Sequence, residues 1–321
     1  MNKPIRAITL AISLLLLPGC AATVPPGQDR ESANDGEIIV VASTSVYADV
    51  ARAVGGNAVS VSALIDRTSQ DPHSYEATAR DKLAVAKADV VIANGGGYDP
   101  FIDALSEVPQ NESGAVIHAI DFHDDGDSAA GSPATEGATT ENHEHAEGNE
   151  HVWYDVRTVG SLARGLAAEY SKLRPERATE FTAAAADFDQ KIQALLLKIN
   201  SLSGGGTGRE FAMTEPLPFY LLTEAGLKDG TPQGVSAVME AGDDLSPLLL
   251  NKLTDSLNAK RYALLAVNTQ TSGAQTDQVV AAARAAGVPV LELTETLPEG
   301  QDYISWMESN VQQLEVSLAG K

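Results

Sequence analysis

Four positions in this sequence carry side chains suited to holding a divalent cation. The stretch Asp71–Asp81 reads DPHSYEATARD and sets His73 directly after a proline. Pro72 drives Asp71 toward extended backbone and stiffens the loop. A loop histidine taken alone is more often solvated than ligating. His151 lies in EHVWYDV, residues 150–156, with an aromatic wall and nearby carboxylates. A ligating histidine usually gives its second N–H to such an acceptor, and packing on Trp153 is the competing role. Glu215 in TEP and Glu295 in LTETLP each follow an apolar run. A carboxylate there either faces a cleft as a metal ligand or caps the next helix. His118 lies inside the apolar run AVIHAI and reads as structural. His123, His143 and His145 fall in a long acidic segment. Such a tract holds metal weakly or is a solvated insert.

The elements that must position these residues read as an alternation of strands and short helices. Ile38–Ala42, Val59–Ile65, Ala88–Ala93 and Ala115–Ile120 have the apolar content of strands, with helical stretches after three of them. That pattern predicts a parallel α/β lobe. Ligands in such sheets collect beyond the carboxyl ends of strands, and His73 follows the second one. Residues 121–150 have no apolar periodicity and read as a loop rich in His and acidic residues. Val156–Leu173 is helical, and Pro175 can open the next helix. Phe181, Ala184, Phe188, Ile192, Leu195 and Ile199 give that helix one buried face. It runs to about Asn200, a length of roughly 35–40 Å, and Ser203 to Gly206 stop it. A second series follows, with strands at Arg209–Met213, Gly234–Met239, Tyr262–Val267 and Val288–Leu293. Helices are predicted at Leu217–Ala225, Pro247–Leu257, Thr276–Ala286 and Tyr303–Leu318. The predicted fold is α/β: two parallel-sheet lobes, residues 37–173 and 204–321, joined by one long helix at 174–203.

Charge and composition narrow the partners. The chain has 321 residues, with 22 Lys+Arg against 44 Asp+Glu and a net charge of -22. Such a surface repels nucleic acid and suits cations. Lys3 and Arg6 precede the apolar run Ala7–Leu17, too short to span a bilayer and followed by Leu17-Pro18-Gly19-Cys20. Residues 1–20 read as a lipoprotein signal whose Cys20 becomes lipidated, with an ordinary secretory signal as the alternative. Residues 21–36 have the Pro, Gly and polar content of a tether. Stable anchoring then takes more than one acyl chain. The expected location is the extracytoplasmic face of the cell membrane. Cys20 is the only cysteine, which excludes an intramolecular disulfide and a Cys-based zinc site. No HExxH and no Ser or Cys nucleophile motif occurs, so an enzyme is not expected.

DPHSYEATARD, the His- and acid-rich insert, EHVWYDV and the terminal Asp302-Tyr303-Ile304-Ser305-Trp306-Met307 strongly resemble the metal-binding receptors of ABC importers, the zinc- and manganese-uptake cluster. The resemblance runs from about Ile38 to the C-terminus. It implies a rigid linker helix, a metal held in the cleft between the lobes, and an ABC permease and its ATPase as partners of a monomeric receptor. Carried over by position, the ligands are His73, His151, Glu215 and Glu295. The family usually has histidine where Glu215 stands and aspartate where Glu295 stands. A glutamate often found in manganese members is Asn268 here. Two imidazoles and two carboxylates hold zinc tetrahedrally and also suit manganese or iron(II). The insert favours zinc, with His123, His143 and His145 as auxiliary capture groups. The readings set against this receptor are a zinc hydrolase, a surface adhesin and a binder of an organic ligand or metal chelate.

Overall fold

The computed structural model describes residues 36–106, 114–124, 149–206, 208–271 and 273–319. Residues 1–35, with Cys20, lie outside them, as do His143 and His145.

The first sheet holds strands β1 (Ile38–Thr44), β2 (Val59–Ile65), β3 (Val90–Ala93) and β4 (Ala115–His118) in the spatial order β2-β1-β3-β4. All three pairings are parallel. The central strands are near-continuous apolar runs, as strands covered on both faces must be. Helices α1 (Ser45–Gly55), α2 (Ala79–Val85) and α3 (Pro100–Ser106) make the crossovers. His118 ends β4 and pairs with Asp103 at 2.9 Å at the exposed surface.

Helix α4 (Val156–Leu173) follows, and Arg157 N–H donates to the carboxylate of Asp155 at its N-terminus. After a 3-10 turn at Pro175–Arg177 comes α5 (Ala178–Ser201), whose 24 residues extend about 36 Å. Its buried stripe is Phe181, Ala185, Phe188, Ile192, Leu195, Leu196 and Ile199. Ala185 rather than Ala184 faces inward, because the stripe widens to take in Leu196. The short α6 (Ser203–Gly206) follows directly.

The second sheet repeats the plan: β5 (Glu210–Met213), β6 (Lys228–Asp229), β7 (Leu265–Asn268) and β8 (Val290–Leu293), in the order β6-β5-β7-β8 and again parallel. Its helices are α7 (Phe219–Glu224), α8 (Val235–Glu240), α9 (Pro247–Asn258), α10 (Ala274–Ala286) and α11 (Tyr303–Ala319). One expectation is corrected here. The segment Gly234–Met239 is helix α8, not a strand, and the edge strand is the two-residue β6. Val235 and Met239 are the buried positions of α8, with Ala237 exposed between them; a strand would put all three on one face.

Helix α5 packs on α1, α4 and α11. One apolar core therefore runs through both lobes and includes Tyr47, Leu162, Phe188, Tyr303 and Trp306. Polar bonds also join the lobes. Tyr154 Oη donates to the Thr294 carbonyl at 2.8 Å, and Tyr303 Oη to the Trp153 carbonyl at 2.8 Å. Gln270 Nε2 donates to the Gln70 carbonyl at 2.9 Å, and Leu297 N–H to Ser45 Oγ at 3.0 Å. Among the described residues, no helix is long and apolar enough to cross a membrane.

Candidate metal site

His73 is placed by local chemistry in the loop after β2. Pro72 starts a 3-10 turn, Pro72–Ser74, and the Asp71 carboxylate caps it by accepting the His73 N–H at 3.0 Å. Three residues on, Thr78 and Asp81 form a capping box that starts α2, and Tyr75 Oη donates to the same Asp81 at 2.8 Å. The DPHSYEATARD stretch is thus a series of caps that leaves little freedom to the His73 backbone.

His151 is held from the other side. Asn94, at the end of β3, donates from Nδ2 to the Glu150 carbonyl at 2.9 Å. Asn149 Oδ1 accepts both the His151 N–H at 3.1 Å and ring Nδ1 at 2.8 Å. An amide oxygen only accepts, so Nδ1 carries the proton and Nε2 keeps its lone pair. Asn149 Nδ2 in turn donates to the Pro216 carbonyl of the second lobe at 2.9 Å. The ring is fully buried against Tyr98 and Trp153. The turn before Tyr98 consists of Gly95, Gly96 and Gly97, all at positive φ, and a Cβ on Gly95 would stand 2.9 Å from Ile120 Cγ2.

The carboxylates come from strand ends and from one helix end. Glu215 follows β5 and Glu295 follows β8; both are buried. Asn268, the last residue of β7, donates its two amide hydrogens to them: 2.6 Å to Glu215 Oε2 and 2.6 Å to Glu295 Oε1. Thr271 Oγ1 donates to Glu215 Oε1, and Tyr98 Oη to Glu295 Oε2 at 2.7 Å. Two buried carboxylates thus share one neutral donor, which relieves part of the cost of burying them together.

Around the imidazoles, His73 Nε2 lies 3.6 Å from Glu295 Oε2, and His73 Nδ1 lies 3.8 Å from Glu150 Oε1. His151 Nε2 lies 3.6 Å from Glu240 Oε1. These separations exceed hydrogen-bond length. His73 Nε2, His151 Nε2 and Glu240 Oε1 are buried without a hydrogen-bond partner. Ligand atoms of His73, Glu150, His151 and Glu240 all lie within 4.8 Å of one another. Two donors each about 2.0–2.2 Å from a tetrahedral cation stand roughly 3.3–3.6 Å apart. The contacts at 3.6 Å therefore have the spacing of a coordination shell, and the donors fit a divalent cation.

Burial sets the protonation of the group. It pushes both imidazoles below their ordinary value, His151 well below, so both are neutral ligands near pH 7. It raises Glu215, Glu240 and Glu295 to about 7 and Glu150 to about 8, and a neighbouring carboxylate adds to every one of these shifts, Asp71 in the case of Glu295. The groups that must lose protons to take a cation near neutral pH are thus the glutamates rather than the histidines.

Of the residues singled out in the sequence, His73 meets Glu295 at 3.6 Å and its ring lies 5.8 Å from that of His151, while the four-residue donor group takes in neither Glu215 nor Glu295. Glu215 joins them through Asn268 and lies within electrostatic reach of His73. His123 stands apart, with Nδ1 against Asp155 at 3.0 Å and Thr158 at 2.9 Å and its ring edge-on to Tyr220. Sequence reasoning passed over Glu150, Glu240, Asn149 and Tyr98 as parts of the site, and marked Asn268 only as standing where manganese members often have a glutamate. Glu150 carried a usable signal, being adjacent to His151. Asn149 acts locally on His151, two residues on, while Glu240 and Tyr98 become visible only once distant segments converge.

Residues 40–316 match the family described as ZnuA, zinc-uptake complex component A, periplasmic. The zinc-binding lipoprotein AdcA of Streptococcus pneumoniae serotype 4 is 26% identical over 318 residues, covering 94% of this chain and 60% of the relative. The manganese-binding lipoprotein MntA of Bacillus subtilis is 30% identical over 165 residues, 50% of this chain and 48% of the relative. The chain thus spans between about half and three fifths of the length of these curated relatives. The solved periplasmic zinc-binding protein TroA of Treponema pallidum has the same fold, with a TM-score of 0.69 at 20% identity, over 88% of this chain and 99% of the other.

Proposed function

Because the chain belongs to the zinc-uptake complex component A family, we propose that it is a receptor that captures one divalent cation, zinc, between its lobes and hands it to an ABC permease driven by an ATPase. The role is one of binding and delivery, not catalysis. His73 and His151 are the imidazole ligands from the first lobe, and Glu215 and Glu295 are the carboxylate ligands from the second. The observation that carries this reading is the pair of buried, unpartnered Nε2 atoms, each 3.6 Å from a second-lobe carboxylate. The receptor acts as a monomer, tethered outside the membrane by a lipidated Cys20. The His-rich segment at 121–150 raises local metal concentration, with His123 at its anchored edge and His143 and His145 farther along.

Manganese or iron(II) is the second reading, favoured by one feature: oxygen donors outnumber imidazoles around the site. Harder cations prefer such a set, whereas the affinity order of divalent metals favours zinc. Competitive titration of residues 21–321 with zinc, manganese and iron(II) separates them. Tight one-to-one zinc binding, lost in a His73→Ala, His151→Ala double variant, is the expected result. Binding untouched by the double variant would remove the cation from this cleft.

A further inference from the structure

Glu240 differs from the other carboxylates of the site. Glu215 follows the central strand β5 and Glu295 the edge strand β8, and each has both oxygens hydrogen-bonded to neutral donors. Glu240 is the last residue of α8, and its buried Oε1 accepts nothing. The group facing it is His151 Nε2, itself fully buried and unpartnered, at 3.6 Å. The spacing again matches two donors on one tetrahedral cation. A buried carboxylate oxygen with no donor is costly unless something positive meets it.

Glu240 also has a second face. Its side chain is 23% exposed, and it lines an open cavity of about 360 Å³ together with Asp71, His73, Asp243, Asp244 and Thr271. That cavity leads from solvent to His73, and its acidic lining draws cations toward the ligands. Glu240 stands where the acidic mouth meets the imidazole pair.

Its support is a short helix bounded by glycine turns. Helix α8 has six residues and lies between Gly234 at φ 86° and Gly242 at φ 73°, both in the left-handed region that favours glycine. Val235 and Met239 anchor α8 in a second apolar cluster with Leu253, Leu257 and Val279, separate from the core that contains α5. Helix α8 has its own packing and is not built into the core that ties the lobes together.

We propose that Glu240 is a ligand of the captured cation and the one that admits and releases it, a carboxylate arm on α8 that closes the mouth of the site over His151. This rests on His73 and His151 holding the cation. A cation entering through the acidic mouth meets Glu240 first, passes to the two imidazoles, and leaves by the reverse order. The added carboxylate favours cations that accept oxygen donors, so its loss weakens manganese more than zinc.

The test compares wild type, Glu240→Gln and the His73→Ala, His151→Ala double variant, using zinc and manganese alone as probes. Glu240→Gln keeps the shape of the side chain and removes its charge. Equilibrium competition and the rate of metal loss to a chelator are measured, with metal-free melting temperature as the fold control. The expected result is a loss of zinc affinity of at least about tenfold, carried mainly by faster dissociation, with a larger loss for manganese. Wild-type affinity and release rate in Glu240→Gln, with binding abolished in the double variant, would overturn the role of Glu240 and leave the site standing. Wild-type binding in the double variant would overturn the site and this inference together.

Discussion

The two lobes share a sheet plan but hold their donors in different ways. In the first lobe the donors are imidazoles fixed by backbone devices: a capped 3-10 turn under His73 and a clamp from Asn149 on His151. Burial keeps both rings neutral, so they are ready to bind without losing a proton. In the second lobe the donors are carboxylates, and a single amide, Asn268, lies between two of them. Burial leaves these partly protonated near pH 7. The first lobe thus supplies pre-organised lone pairs. On the proposed reading, the second supplies the charge that balances the cation and the protons that compete with it.

Asn268 is the sharpest place to break this difference. Asn268→Leu removes both donors at once and leaves two buried carboxylates facing each other. The expected cost is about 2–6 kcal/mol of stability in the metal-free protein, from one unsatisfied buried acceptor on each glutamate. Chemical denaturation measures it. Bound zinc should restore much of the loss by pairing the same carboxylates.

The pH response comes next in size. Glu215, Glu240 and Glu295 rise from 4.5 to about 7 in the folded protein, and Glu150 to about 8. The metal-free fold therefore holds protons that the unfolded chain has already released. Stability from these groups is fully present below about pH 4.5 and is lost as pH rises through about 7 to 8. The lowered imidazoles act in the opposite sense: their contribution is present above about pH 6.5 and fades as pH falls. A cation replaces the carboxyl protons. Zinc should therefore raise the melting temperature little at about pH 5 and most at about pH 8, and binding should release protons in between. A gap between loaded and metal-free melting temperatures that narrows with rising pH would contradict the assignment of charge to the second lobe.

Asn149→Ala probes the first lobe and is milder. It frees the His151 ring to take the other tautomer and cuts the bond to Pro216. Zinc affinity should fall by roughly tenfold or somewhat more, with little change in manganese-to-zinc preference. The smallest effect is expected from deleting residues 125–147. Main-site affinity should stay at the wild-type level, because His123 is anchored on Asp155 and Thr158 outside the deleted stretch. Uptake under metal starvation should slow. A collapse of main-site affinity would make the segment part of the site.

Much of this architecture is legible in the sequence, for physical reasons that vary by element. Central strands such as β1 and β3 are covered on both faces, so they read as unbroken apolar runs. Helix α5 is long enough for its 3.6-residue period to stand out. His73, Glu215 and Glu295 all follow strands, where parallel sheets place their ligands. Helix α8 reads as a strand in one dimension because six residues with apolar positions at 235, 238 and 239 fit a short strand almost as well as one helical turn. The true edge strand, Lys228–Asp229, is exposed and carries no apolar pattern. Tyr98 is an ordinary polar residue in one dimension, and Asn268 stands out only by its place in the family pattern. Their roles arise from side-chain contacts across 197 positions for Tyr98 with Glu295 and across 53 for Asn268 with Glu215, and local spacing encodes neither.

The central claim is that the cation sits between the two lobes, on imidazoles from one and carboxylates from the other. Anomalous X-ray scattering at the zinc edge, from crystals of the zinc-loaded protein, tests it most directly. The account predicts one strong peak within about 2.0–2.2 Å of both His73 Nε2 and His151 Nε2, with carboxylate oxygens completing the shell. A principal peak elsewhere, with both Nε2 atoms left unligated, would contradict it.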